Sequence, residues 1–243
     1  MEDFLYPLLP GIELVLDRRH PVTTDPILLA RFAAPGSKDR VCDLCCGMGI
    51  VPMLWFGQDE VRPRSVAGVD LDGSAIALFA RSIVRNGLGE LVRALEGDLR
   101  APMTVPELGP GSFDLVTCNP PYYPSDYSAG VGEDPLRAKA RRELTCSLPD
   151  VCRTAARLLR FGGRFCVCHR PARLPDLLEA MRAERLEPKR LRLVSHRPDS
   201  PPFLVLAEGR LGAKPSLDLR APLFLTDSAG AATAEILEIY RMR

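Results

Sequence analysis

The stretch Arg40-Val-Cys-Asp-Leu-Cys-Cys-Gly-Met-Gly-Ile-Val-Pro-Met-Leu-Trp-Phe56 decides the fold. Arg40 to Leu44 is a short apolar run of strand length. The chain then bends at Gly47 and Gly49, and Ile50 to Phe56 reads as a helix. Glycines allow a sharp bend and a close approach of backbone to a ligand, and the helix start beyond them carries unpaired N–H groups. A turn that cradles a dinucleotide phosphate reads G-x-G-x-x-G. Here there are two glycines, and Asp43 precedes them on the strand. An acid at that point repels a pyrophosphate and can hold an ammonium. That favours a nucleoside bearing an amino acid over a nicotinamide dinucleotide. A plain tight turn is the competing reading.

Outward from this unit, strands and helices alternate. Ser65 to Asp70 reads as a second strand and Ser74 to Asn86 as an amphipathic helix, with Asp72 at its start and Gly87 at its end. Further strands are read at Leu91–Leu95, Phe113–Cys118 and Arg164–His169, with helices at Leu148–Leu159 and Leu174–Arg185. Two apolar runs, Arg190–His196 and Phe203–Glu208, close the series across a short Pro-rich turn, as an antiparallel pair does. Thr233–Tyr240 reads as a short final helix. Upstream, Ile12–Asp17 reads as one short strand, and a helix to Ala33 starts with Asp25 as N-cap and Pro26 at its first position. The expectation is an α/β fold with a seven-stranded, mostly parallel sheet, a terminal antiparallel pair at one edge, and helices on both faces. Residues 1–36 are read as an N-terminal extension packing on a core of residues 37–243, one domain in all.

Composition narrows the class. The 243 residues are 46% hydrophobic and 26% charged, which excludes a disordered or collagen-like chain. No apolar run reaches the roughly 18 residues of a membrane span. Met1-Glu2-Asp3-Phe4 lacks the basic start of a signal peptide, so a cytoplasmic location is expected. The 8 cysteines are then read as reduced thiols that pack as small hydrophobes. Neither Cys42, Cys45 and Cys46 nor Cys166, Cys168 and His169 form the paired knuckles of a zinc site, and no metal is expected. Between Arg137 and Arg197 there are 16 Lys or Arg against 6 Asp or Glu. Such a stretch can meet a polyanion or simply be a set of solvated helix faces. The sequence leaves the oligomeric state open.

Three acids end successive strands: Asp43, Asp70 and Asp98. Asp70 lies about 20 residues past the glycine turn, where an acid can accept both ribose hydroxyls. Asp98, with Leu99 beside it, can hold an adenine amino group from the same crevice. The fourth strand runs directly into Asn119-Pro-Pro-Tyr122. The lone pair of an aromatic amine is delocalised into its ring and makes a poor nucleophile. Asn119 can accept an N–H bond through its side-chain oxygen, and Pro120, with no N–H and a fixed φ, helps aim a carbonyl at the same nitrogen. Two acceptors draw that nitrogen toward tetrahedral geometry and point its lone pair outward. Tyr122 offers a ring on which a base can stack. Cys118 could be taken for a covalent nucleophile, but that chemistry attacks a ring carbon, and packing is its expected role.

With these residues in register, the chain resembles the class I S-adenosylmethionine-dependent methyltransferases of the NPPY group, across almost its whole length. The resemblance implies a Rossmann-like fold and S-adenosylmethionine as cofactor, held by Asp43, Cys45, Gly47, Gly49, Asp70, Leu71, Asp98, Leu99 and Asn119. It implies catalysis by Asn119, Pro120, Pro121 and Tyr122. Within the group the chain is most similar to small bacterial enzymes that methylate N6 of an adenine beside the anticodon of a valine tRNA. That likeness rests on Tyr123 following Tyr122, on Thr24-Asp25-Pro-Ile-Leu-Leu29 before the glycine turn, and on the absence of a separate substrate domain. It implies an RNA substrate, with Tyr122, Tyr123, Arg137, Lys139, Arg141 and Arg142 as contacts, extended by Lys189, Arg190, Arg192 and Arg197. Two departures stand out: Cys45 replaces the first glycine of the family's Asp-x-Gly-x-Gly-x-Gly, and Pro26 replaces the glycine of Thr-Asp-Gly. Other substrates of the group (ribosomal RNA, DNA adenine, protein glutamine, a small molecule) and a silent RNA-binding module are the alternatives.

Overall fold

The computed structural model describes residues 3–58, 60–121 and 146–240, with the backbone alone at Met103. Phe4–Leu9 (β1) and Ile12–Leu16 (β2) pair antiparallel as a separate hairpin. The expected single strand at 12–17 is therefore only its second arm. The first arm carries Pro7 and is mostly exposed, so it lacks the alternation that marks a strand. Thr24–Ala33 forms α1, with Thr23 and not Asp25 at the N-cap position, its side chain making no capping hydrogen bond. This corrects the expected start. Asp25 sits inside the first turn, where a negative charge suits the helix dipole. Pro26 costs nothing there, because the first backbone N–H groups have no partner within a helix.

The main sheet begins with Arg40–Leu44 (β3), followed by Ile50–Leu54 (α2), Ser65–Asp70 (β4), Gly73–Arg85 (α3), Val92–Glu96 (β5) and Phe113–Cys118 (β6). Then come Leu148–Leu158 (α4), Leu159–His169 (β7), Leu174–Ala183 (α5), Leu186–Ser195 (β8) and Pro202–Leu211 (β9). Two-residue strands Asp218–Leu219 (β10) and Leu223–Phe224 (β11) precede Ala234–Ile239 (α6). The strand order is β8–β9–β7–β6–β3–β4–β5. β5, β4, β3, β6 and β7 are parallel, and β9 runs antiparallel between β7 and β8. All seven expected strands are present, with β10 and β11 added in parallel along the outer edge of β8. Such short pieces leave no periodic signal, yet they cover backbone groups that an open edge would expose.

Side chains of the central strands alternate between two cores. Val41, Val66, Leu115, Cys166 and Cys168 face the layer of α1, α2, α3 and the hairpin. Cys42, Ala67, Val116, Cys118 and Val167 face the layer of α4 and α5. Asp72 caps α3, accepting from the N–H groups of Ser74 and Ala75, and Gly87 beyond the helix end has φ +65°, both as read from the sequence. Among the described residues no helix is long and apolar enough to cross a membrane.

The chain turns from β3 into α2 at Gly47 and Gly49, and the two glycines serve different needs. Both have positive φ, +52° at Gly47 and +83° at Gly49. A Cβ at Gly47 would meet open space, whereas one at Gly49 would lie 2.1 Å from the Phe79 ring. Gly47→Ala should cost only the left-handed penalty, about 1–2 kcal/mol. Gly49→Ala adds overpacking of about 1–3 kcal/mol to it. Chemical denaturation of both variants should therefore show the second clearly less stable, and equal losses would refute this reading of the turn.

Candidate active site

A cavity of about 810 Å³ opens at the carboxyl ends of β3, β4 and β6. Its volume lies in the range of small-molecule and cofactor sites. Asp70, Leu71 and Asp72 form one wall, Gly97, Asp98 and Leu99 a second, and Asn119, Pro120 and Pro121 a third. Cys45 enters from the glycine turn.

Asp70 organises the floor. Its Oδ2 accepts from the backbone N–H of Gly47 at 2.8 Å, and its Oδ1 from the N–H of Asp72 at 2.9 Å. A second backbone bond, from Cys46 N–H to the carbonyl of Val69 at 3.1 Å, ties the turn to β4. Leu71 is 36% exposed although apolar, which suits a residue that presents a flat surface to a ligand. Asp98 lines the cavity too, but Arg100 forks onto its carboxylate, with Nη2 at 2.6 Å from Oδ2. That guanidinium holds the Asp98 carboxyl below its ordinary range, so Asp98 meets a ligand as a shared acceptor.

Asp43 departs from the expected arrangement. It is 1% exposed and does not line the cavity. Its Oδ1 accepts from the Thr117 hydroxyl at 2.5 Å, across the β3–β6 pair where the two residues are in register. So two of the three strand-ending acids, Asp70 and Asp98, face the crevice, while the third lies beneath it. The physical reason is strand parity: Asp43 points to the same face as Val41, into the core under α2. Burial pushes its carboxyl up to about 7, with the Thr117 hydrogen bond opposing and the charge of Asp70 adding.

Cys45 sits in the left-handed region with φ +55°. The position thus demands the conformation for which glycine is the usual residue, and a side chain there costs about 1–2 kcal/mol. Its Sγ lies 3.9 Å from that of Cys146. Contact with Cys118, then burial, pushes the Cys45 thiol well up. All eight cysteines are free.

Sequence reasoning missed Thr23, Asp25 and Arg170 as lining residues. In the sequence Asp25 carries a capping signal and belongs to the Thr24–Leu29 likeness, and neither places it at the cavity. Arg170 follows β7 directly and pairs with Asp25 at 3.7 Å, so the first turn of α1 closes one side of the cavity. The rule that ligands bind beyond the carboxyl ends of parallel strands would have found Arg170. Tyr122, Tyr123, Arg137, Lys139, Arg141 and Arg142 lie outside the described residues. The rest of the basic stretch is largely paired. Arg190 bonds Glu208, Arg192 forks onto Glu235, Arg197 pairs with Asp199, and Lys189 donates to the carbonyl of Lys214. None of these four lines the cavity; Arg190 and Arg192 line a separate pocket between β8 and α6.

The family profile described as "Methyltransferase small domain" matches residues 23–181. The chain belongs to that family. S-adenosylmethionine is its cofactor, and its catalytic class is S-adenosylmethionine-dependent methyl transfer. A tRNA1(Val) (adenine(37)-N6)-methyltransferase of Parabacteroides distasonis is 28% identical over 190 residues, 77% of this chain and 75% of that one. A 4-amino-L-phenylalanine/4-methylamino-L-phenylalanine methyltransferase of Streptomyces pristinaespiralis is 31% identical over 73% of this chain and 60% of that one. Among solved structures, a predicted O-methyltransferase of Agrobacterium tumefaciens superposes with a TM-score of 0.69 at 20% identity, covering 90% of this chain and 96% of that one. It shares the Rossmann-like fold.

The buried Asp43 makes stability depend on pH. An acid whose pKa is raised by folding holds its proton more tightly folded than unfolded. Its contribution is complete below the unfolded value of about 4 and is lost as pH rises through about 7. Thermal unfolding of the wild type should therefore weaken from pH 5 to pH 8 more than that of Asp43→Asn. Parallel curves for the two would rule out Asp43 as the titrating group.

Proposed function

We propose that this protein methylates the exocyclic N6 of an adenine in tRNA, beside the anticodon. The observation that carries the reading is Asn119-Pro120-Pro121 at the end of β6, opening onto a cavity whose other walls hold Asp70 and Asp98. Its relatives' names supply the substrate class, since several are tRNA1(Val) (adenine(37)-N6)-methyltransferases. The work is located in the cytoplasm, and RNA is the macromolecular partner.

The residues present fit the cofactor. Asp70 accepts the ribose hydroxyls while held by the Gly47 and Asp72 N–H groups. Leu71 covers one face of the adenine, and Asp98 with the Leu99 backbone takes its polar edge. Cys45, Gly47 and Gly49 shape the turn against which the amino-acid portion rests, and the carboxyl of Asp43 supports that turn from below. When bound, the cofactor supplies an electrophilic methyl group on a sulfonium. The chain's own task is to position a weak nucleophile. Asn119 Oδ1 and the Pro120 carbonyl accept the two N–H groups of the substrate amine, and Pro121 stiffens the turn. Tyr122 and Tyr123 stack the base. Arg137, Lys139, Arg141 and Arg142 meet the phosphates around it. No strong base is needed, because an amine becomes acidic once methylated.

A second reading has its own support. The Streptomyces relative acts on an amine conjugated to a benzene ring, which presents the same delocalised nitrogen, and the described Arg and Lys side chains of the basic stretch are largely paired. A small aromatic amine is therefore the competing substrate.

Methyl transfer from labelled S-adenosylmethionine to tRNA, ribosomal RNA, a protein extract and 4-aminophenylalanine separates the readings. Label recovered from tRNA as N6-methyladenosine is expected, and label in another pool instead would overturn the substrate. Asn119→Ala should lower kcat about a hundredfold or more with cofactor affinity nearly unchanged. Asp70→Ala should do the reverse, weakening cofactor binding about 10- to 100-fold through loss of charged hydrogen bonds. If Asn119→Ala turned over at the wild-type rate, its assigned role would be wrong.

A further inference from the structure

Asn119 is positioned from behind. On β7, Cys168 is 0% exposed, and its Sγ donates to Asn119 Oδ1 at 3.0 Å. The contact follows from the sheet. β6 and β7 are parallel, with Thr117 opposite Cys166 and Cys118 opposite Val167. One more step of that register sets Asn119 beside Cys168. Strand parity puts both on the face of Thr117 and Cys166, where the Thr117–Asp43 bond lies one pair further down.

We propose that Cys168 is a positioning residue for methyl transfer: its thiol fixes the orientation of the Asn119 carboxamide. The inference rests on the reading of Asn119 as the acceptor of the substrate amine. An asparagine amide has an acceptor end and a donor end of almost equal size. Turned over, it would present N–H groups to a substrate that itself donates, and the methyl acceptor would be repelled. A thiol that donates to Oδ1 selects the useful orientation. Oδ1 has two acceptor positions, so the thiol and a substrate N–H can share it. A thiol is also a weak donor. It orients the oxygen and leaves the second acceptor position open to the substrate. The carboxamide plane is held as well, since Cys168 lies in the packed core and has no room to move.

The test compares Cys168→Ala, Cys168→Val and Cys168→Ser. Alanine and valine remove the donor; alanine leaves the site slightly underfilled and valine slightly overfilled, so a loss common to both is not one of packing. Both should lower kcat about ten- to a hundredfold, with cofactor Kd, measured by calorimetry, within about twofold of wild type. Serine restores a donor and should bring kcat back to within about threefold. In an Asn119→Ala background, Cys168→Val should have no further effect on residual turnover. A packing role would instead add its own loss in both backgrounds. Wild-type kcat in Cys168→Val, or loss in Cys168→Ser equal to that in Cys168→Val, would overturn the proposal. NMR supplies a readout that needs no substrate. The side-chain amide protons of Asn119 in the cofactor-bound protein, identified by their absence from Asn119→Ala, should be two sharp, separate signals in wild type and Cys168→Ser. In Cys168→Val they should move toward the shifts of a free amide. Unchanged signals in Cys168→Val would refute the orientation whatever the substrate. Failure of wild type to methylate any acceptor would refute the proposed function alone.

Discussion

The hydrogen bond from Gly47 N–H to the carboxylate of Asp70 is the constraint on which the site depends. It joins the turn after β3 to the end of β4, two segments 23 residues apart. The neighbouring bond from Cys46 N–H to the Val69 carbonyl holds the turn to the β4 backbone, and this one fixes it to the acid side chain itself. With it, both oxygens of Asp70 are directed, one by the turn and one by the Asp72 amide. The carboxylate is then held in place before any ligand arrives, and a preset acceptor loses little freedom on binding. The arrangement continues outward. Asp72 caps α3, and its other oxygen lies 3.4 Å from His20 Nε2, whose Nδ1 reaches the buried Asp17 at 2.8 Å. The N-terminal hairpin is thus linked to the edge of the cavity.

The strands explain why the polar groups beneath the site are tolerated. Asp43, Thr117, Cys168 and Asn119 all point to one face of the sheet. A buried polar group must find a partner or lose stability. Adjacent parallel strands provide one at each level, Asp43 with Thr117 and Cys168 with Asn119. Two cross-strand bonds, one buried and one partly buried, support the reacting end of β6, and Asn119 at its tip lines the cavity. Rigid elements hold such groups more closely than loops do.

Electrostatics give a less polarised molecule than a count of charges suggests. The 16 basic residues between Arg137 and Arg197 read as one surface, but chain folding brings acids from other elements to them. Arg160 meets Asp114, Arg164 meets Asp39, Arg170 meets Asp25, and Arg192 meets Glu235. Each pair joins segments far apart in sequence. Pairs at or near the surface add little stability, yet they reduce the net field that a polyanion would sense.

Sequence pattern was enough for helices on both faces of a sheet, the seven strands of that sheet, the glycine turn and the position of Asn119-Pro-Pro at a strand end. Those features are local: periodicity, turn residues and a motif of adjacent positions. The sequence also marked Asp70 by its distance from the turn and Asp98 by its place at a strand end. The tertiary structure alone decided that Asp43 faces the core, that Arg170 and Asp25 close the cavity, and that Cys168 stands behind Asn119. It alone showed Cys45 in a left-handed conformation beside Cys146. These are contacts across 49 to 145 residues of chain. They are set by which strands become neighbours and in which register. No local pattern carries that information, because register is fixed only when the whole sheet buries its faces.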